Sequence, residues 1–152
     1  MKLRWAALVL VLALSAVVSE LDAQQAGRTG SGRQASPLGQ NYPNPFNPET
    51  TIPFAVGDSA SCASNPGHRY RVSLRIYNVL AQLVAIPILQ AGTGSSPAGS
   101  MPVVNAELTC GSYTAYWDGK YLNTSREVAS GVYIYQLAID GRVFTRKMLV
   151  AK

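Results

Sequence analysis

Over residues 69–77 the chain alternates without a break, with Tyr70, Val72, Leu74 and Ile76 on one face and Arg69, Arg71, Ser73 and Arg75 on the other. Successive Cβ atoms of a strand point to opposite sides of a sheet, so a period of two predicts a strand with one face in a core and one in water. A strand needs partners, and the rest of the chain supplies them. Residues 51–56 read as a strand that Pro53 confines to a sheet edge. Residues 78–81 read as a turn into a third strand over 82–89, apolar enough to be buried on both faces. A short strand is expected over 103–108, beyond a Gly/Ser/Pro loop over 91–102. A fifth, over 113–117, puts Tyr113, Ala115 and Trp117 on a common face before Asp118-Gly119 ends it. Gly131–Ile139 and Arg142–Val150 come next, joined by Asp140-Gly141, a pair that tolerates the positive φ of a two-residue hairpin. The alternation slips near Arg146-Lys147, where a bulge would restore the apolar phase for Met148 and Val150. Seven short strands with turn signals between them predict an all-β fold, a seven-stranded antiparallel β-sandwich.

The start of the chain obeys another rule. Lys2 and Arg4 precede an apolar run over residues 6–18, followed by Ser19, Glu20, Asp22 and the small Ala23. This is the pattern of a secretory signal peptide over residues 1–23, cut after Ala23 or, as second choice, after Ser19. The run falls short of the roughly 20 apolar residues of a spanning helix, which leaves a retained membrane anchor as the lesser alternative. Residues 24–37 are Gln, Gly, Ser and Arg with little that is large and apolar, the composition of a flexible leader. The domain is therefore expected over 38–152. Residues 1–23 carry two basic and two acidic groups, so the formal charge of +5 belongs to residues 24–152. A basic surface attracts acidic glycans, lipopolysaccharide or nucleic acid, and export makes nucleic acid the least expected. The expected route is through the periplasm to the cell surface or the medium.

The chemistry-bearing residues are few. Cys62 and Cys110 are the only cysteines. In an oxidising compartment an even pair reads as a disulfide, the competing reading being two buried free thiols. The single histidine, His68, lies in a Gly/Pro loop, and a nucleophile pair with Cys62 would lack a third, orienting group. There is no G-x-S-x-G elbow, Walker loop, CxxC pair or H-E-x-x-H helix. Asp118, Asn123 and Glu127 offer oxygens around one loop, without the spacing of a calcium hand. No catalytic residue, metal, cofactor or small-molecule substrate is expected. The row Arg69, Arg71 and Arg75 is either the solvated face of a sheet or a binding stripe for an anionic polymer. Asn41-Tyr42-Pro43-Asn44-Pro45-Phe46-Asn47-Pro48 fixes φ at its prolines, and Tyr42 and Phe46 are expected to pin this extended strip to the edge of the domain.

The stretch Leu38-Gly39-Gln40-Asn41-Tyr42-Pro43-Asn44-Pro45-Phe46-Asn47-Pro48-Glu49-Thr50-Thr51-Ile52 resembles the opening motif of the C-terminal sorting domain (type A) of type IX secretion substrates. Further blocks match in the family's order: Val72-Ser73-Leu74-Arg75-Ile76-Tyr77-Asn78-Val79-Leu80, Gly111-Ser112-Tyr113 and Trp117-Asp118-Gly119. Arg126-Glu127-Val128-Ala129-Ser130-Gly131-Val132-Tyr133-Ile134-Tyr135 and Thr145-Arg146-Lys147-Met148 complete them. The resemblance covers residues 38–152. It implies an Ig-like fold similar to that of the flagellar hook-capping protein, and a non-catalytic role as an address read by outer-membrane translocation and attachment machinery. In such substrates a sortase-like protease often clips the domain and joins the cargo to an anionic lipopolysaccharide. Carried over by position, the sorting signal lies in the last two strands, with Gly131 and Tyr133 opening the hairpin and Lys147 near its end. The alternative is a surface structural or adhesive Ig-like module that binds anionic glycans or a protein partner. The chain departs from the family in several places. Ala81 stands where a glycine is usual, and Lys120-Tyr121-Leu122-Asn123-Thr124-Ser125 replaces an acid-and-glycine loop. The cysteine pair is not a family hallmark, and residues 24–37 stand where a sizeable effector is usual.

Overall fold

In the computed structural model the described residues are 36–92 and 101–152, with the backbone alone at Ala91. The expected signal peptide (1–23), all but the last two residues of the expected leader, and the middle of the 91–102 loop lie outside them. The elements in chain order are β1 (Thr50–Val56), a short helix α1 (Ser59–Ser64), β2 (Tyr70–Tyr77), β3 (Leu83–Ala85), β4 (Ile88–Gly92), β5 (Ala106–Leu108), β6 (Gly111–Trp117), β7 (Gly131–Ile139) and β8 (Arg142–Val150).

Two antiparallel sheets form, one in the order β1-β6-β4 and one in the order β3-β2-β7-β8, with β5 also paired to β2. Their inner faces share one core. Val72, Leu74 and Ile76 from β2 meet Tyr135 and Leu137 from β7 and Ile52, Ala115 and Leu89 from the other sheet. Trp117 of β6 lies edge-on to Tyr133 of β7, with ring centroids 5.9 Å apart, and so bridges the sheets. The alternation that predicted β2 places Arg71 and Arg75 on the outer face, while Arg69 precedes the strand. The far edge of β2 is filled in three pieces: β5 opposite residues 70–72, the Val103 carbonyl accepting from Leu74 N (2.8 Å), and β3 opposite residues 76–77.

Three expectations are corrected. The third strand is not one strand buried on both faces. It divides at Ile86-Pro87 into β3 and β4, which pair with β2 and β6 in different sheets, leaving Leu83 and Ile88 largely exposed. A proline cannot donate to a ladder, so the chain leaves one sheet there and joins the other. Among the described residues the strand count is thereby eight. Nor is there a bulge at Arg146-Lys147, because β7 and β8 pair in unbroken register from Gly131↔Val150 to Ile139↔Arg142. The side chain on the inner face at that point is Arg146 itself, whose Nε donates to the Leu38 carbonyl at 2.6 Å. Finally, the Gly/Pro loop after β1 contains α1, capped by Asp58, whose carboxylate accepts from Ser61 N (2.8 Å).

Pro53 does sit in an edge strand, in register with Thr114 of β6. Its carbonyl faces the outer edge and accepts from Gly39 N (2.8 Å), so its missing N–H falls on the side away from β6. The Asp140-Gly141 hairpin forms as expected, with φ of 46° and 83°. Cys62 in α1 is bonded to Cys110, just before β6, with Cα atoms 5.7 Å apart. Gly57 makes room for this bridge. A Cβ there would stand 2.4 Å from the Cys62 sulfur, and its φ of +78° disfavours any other residue.

Candidate functional site

The opening strip and the last strand lie 100 residues apart in sequence, to within a few positions, and are joined in space. The strip runs first along the outer edge of β1, where Pro37 O accepts from Ala55 N (2.7 Å) and Tyr42 and Thr51 exchange both backbone bonds at 2.9 Å. It then crosses to β8, where Phe46 forms a parallel bridge with Val150. Phe46 N donates to Leu149 O (3.0 Å), Ala151 N donates to Phe46 O (3.1 Å), and the Asn44 side chain accepts from Leu149 N (2.9 Å). One segment thus closes the gap between the edges of the two sheets, satisfying backbone groups that an open edge would leave to water.

The strip is pinned from below by polar groups that are themselves buried. Asn41 donates from Nδ2 to Pro43 O and to Thr50 Oγ1, both at 3.0 Å. The Tyr135 hydroxyl donates to Gly39 O (2.8 Å) and accepts from Asn41 N (3.1 Å), joining β7 to the strip. Burial raises the Tyr135 pKa above its ordinary value, partly offset by the Asn41 N–H and the nearby Arg146. Phe46 is buried against Trp117, ring centroids 5.4 Å apart. Tyr42, expected to act as a second pin, holds only through its backbone, its side chain being 55% exposed. The buried anchors beside Phe46 are Leu38 and Asn41. Ser36 Oγ accepts from Leu38 N (3.3 Å). Gly119, in the Trp117-Asp118-Gly119 turn, has φ +72°, and a Cβ there would lie 2.0 Å from the Pro48 carbonyl. The strip and that turn therefore need each other's shape.

The residues assigned to a sorting signal separate on the hairpin. Lys147 points outward, opposite Ile134, beside the exposed pair Val132 and Leu149. Gly131 begins β7 opposite Val150. Tyr133 points into the core, its hydroxyl donating to Ala129 O (3.0 Å), and burial raises its pKa. The outer edge of β8 is covered by the strip around Leu149, while the backbone of Val143 and Thr145 on that side has no backbone partner among the described residues.

The remaining candidates are scattered over the domain. Cys62 is consumed by the disulfide and has no thiol to offer His68. His68 Nε2 lies 3.9 Å from Asp140 Oδ2, both half exposed, and its ring sits edge-on to Tyr70. Asp118 pairs with Lys120 (3.2 Å) and Glu127 with Lys152 (2.7 Å), the latter contact lowering the Glu127 pKa. Among the described residues no three His, Cys, Asp or Glu side chains group to hold a metal ion. Arg69, Arg71 and Arg75 line an outer cleft with Ser73, Asn105 and Glu107. The roles of Tyr135 and Arg146 were missed in the sequence, although Phe144, Arg146, Met148 and Val150 keep the inward phase that would have placed Arg146 there. No protein-family model, curated protein or solved structure matches the chain.

Proposed function

We propose that residues 38–152 form an Ig-like sorting domain of an exported, non-catalytic protein, read by type IX outer-membrane translocation and attachment machinery. The observation that carries this reading is the locking of the opening motif onto the terminal strand. An address must be a self-contained fold that displays its reading surface whatever is attached before it. Here Phe46, Asn44, Arg146 and Tyr135 tie the first segment of the domain to the last, and the outer side of β7–β8 stays exposed. Two antiparallel sheets, with a segment that leaves one after β3 and joins the other as β4, support the Ig-like description. Lys147, Val132 and Leu149 on the outer face, with the free edge at Val143 and Thr145, offer a receptor apolar contact, a charge and backbone pairing, a combination that gives affinity without catalytic groups. Gly131 starts the displayed strand, and Tyr133 holds it from the core side. The tripartite N-terminal pattern supports passage of the inner membrane by a cleaved signal over residues 1–23. Attachment to anionic lipopolysaccharide is the expected fate at the surface.

The test is a fusion of residues 1–23, a fluorescent reporter and residues 38–152, expressed in a host that carries a type IX system. The reporter is expected at the cell surface or in the medium. Lys147→Glu, on the exposed face, is expected to reduce that export while the domain stays folded. A reporter retained in the periplasm with an intact domain refutes the reading.

A further inference from the structure

The outer face of β2 carries a cleft that the sorting reading leaves unused. It encloses about 450 Å³ and is lined by Arg69, Arg71, Ser73, Arg75, Glu107 and Asp140, among others. We propose that this cleft binds an acidic sugar chain, with the arginines pairing to its carboxylate or phosphate groups and the two carboxylates accepting from its hydroxyls.

Three observations carry the proposal. First, none of the three guanidiniums lies in an ion pair with a carboxylate of the described residues, although Glu107 is in register opposite Arg71 and Asp140 Oδ1 accepts from Arg71 N at 2.8 Å. Planar guanidiniums with free donors on a concave surface favour bidentate binding of an oxyanion. Second, the cleft is built rather than accidental. Ser73 is buried to 5% exposure although it points to the outer face, because the chain before β5 folds over it. Asn105, with φ +49°, donates its N–H to Ser73 Oγ at 2.9 Å and forms part of the wall. Third, the lining discriminates between polyanions. It contains no aromatic side chain, hence no platform on which a nucleic-acid base would stack. Glu107 and Asp140 would repel a continuous phosphate backbone, whereas sugar hydroxyls donate to carboxylates. Arg71 and Arg75 are four residues apart on one strand, roughly 13 Å along it, so the occupant presents more than one anionic group.

This inference is independent of how the domain is exported, and binding is measured on the purified chain. Titration calorimetry at low ionic strength uses oligogalacturonate as a carboxylate-bearing probe and a sugar-phosphate oligomer as a second. At least one is expected to bind, weakening as salt is raised. Arg71→Glu or Arg75→Glu should weaken it roughly tenfold or more, the loss of a charge-assisted contact and its reversal. Arg126→Glu, a charge-matched change in the loop before β7, should leave it within about twofold. Arg75→Gln provides a neutral version should a reversed charge prevent folding, judged by an unchanged cooperative thermal transition. The proposal is overturned if neither oligomer binds, if Arg126→Glu weakens binding as much as Arg71→Glu, if inorganic phosphate binds as tightly as the oligomers, or if single-stranded DNA of equal charge binds as tightly as they do.

Discussion

Tyr135→Phe tests how the opening strip is held. The ring lies in the core, so phenylalanine keeps its packing and removes only the hydroxyl. That hydroxyl donates to Gly39 O at 2.8 Å and accepts from Asn41 N at 3.1 Å. Each net hydrogen bond contributes about 1 kcal/mol, and a buried group left without a partner costs about 1–3 kcal/mol. Among the described residues Gly39 O keeps no other bond and is partly covered, whereas Asn41 is almost wholly buried, so the sum is expected at about 2–3 kcal/mol. For a unit running from Ser36 to Lys152, that corresponds to a fall in Tm of about 10 °C. Urea unfolding followed by tyrosine and tryptophan fluorescence measures it, with the m-value unchanged if the native state keeps its compactness. The pH dependence has a definite sign. The folded pKa of Tyr135 is raised above the ordinary value of 10.0, so its contribution is fully present below pH 10 and is lost as pH rises toward the folded value. Tyr133 is raised by burial, and Tyr116 is raised to about 12, first by its hydrogen bond to Glu49, so the wild type should lose stability above pH 10 through all three. The gap between wild type and Tyr135→Phe should therefore narrow above pH 10. A stability loss below about 0.5 kcal/mol, or a gap that widens with pH, would refute the assignment of this hydroxyl as the strip's anchor.

Two further outcomes rest on local geometry. Replacing Cys62 and Cys110 together by serine opens a loop closed across a sequence separation of 48, for which chain entropy gives a loss of about 4 kcal/mol, read from denaturation of the variant against the oxidised chain. A loss under about 1 kcal/mol would mean that the bridge restrains nothing the fold does not already hold. Ala81 has φ +58° in the turn that Asn78 organises by accepting from Leu80 N and Gln82 N, both at 3.0 Å, so Ala81→Gly should stabilise the domain by about 0.5–1 kcal/mol in the same assay. No gain would show that the turn carries no backbone strain.

The strands that keep a strict period were legible in the sequence because one face is buried and one is not. The inward rows Val72, Leu74, Ile76 and Tyr113, Ala115, Trp117 came from alternation alone, and the final hairpin from Asp140-Gly141. The third strand was misread because hydrophobicity does not say which sheet buries a residue. Val84 and Leu89 look alike in a window, yet they are buried by different sheets on either side of Pro87. Arg146 was misread for a related reason. Its charge suggested that the inward phase had slipped, whereas the register runs on and the guanidinium Nε–H donates to the Leu38 carbonyl. The prolines and asparagines of the opening motif marked it as an ordered strip but not its partners, since backbone bonds to Leu149 and Ala151 leave no pattern in side-chain type.

By itself the sequence determined the all-β class, the inward rows of the periodic strands and the closing hairpin, all of which depend on local periodicity or turn chemistry, whereas the choice between a disulfide and two free thiols fell to the structure. The alternation over residues 69–77 also determined that three arginines would lie along one outer face. Tertiary structure decided that this face is a walled cleft, because Asn105 folds over Ser73 from a segment 32 residues away. It also decided that the opening strip seals the sandwich against β8. Both depend on hydrogen bonds between backbone groups and distant partners, and every residue carries such groups, so composition and period cannot specify which pairs form.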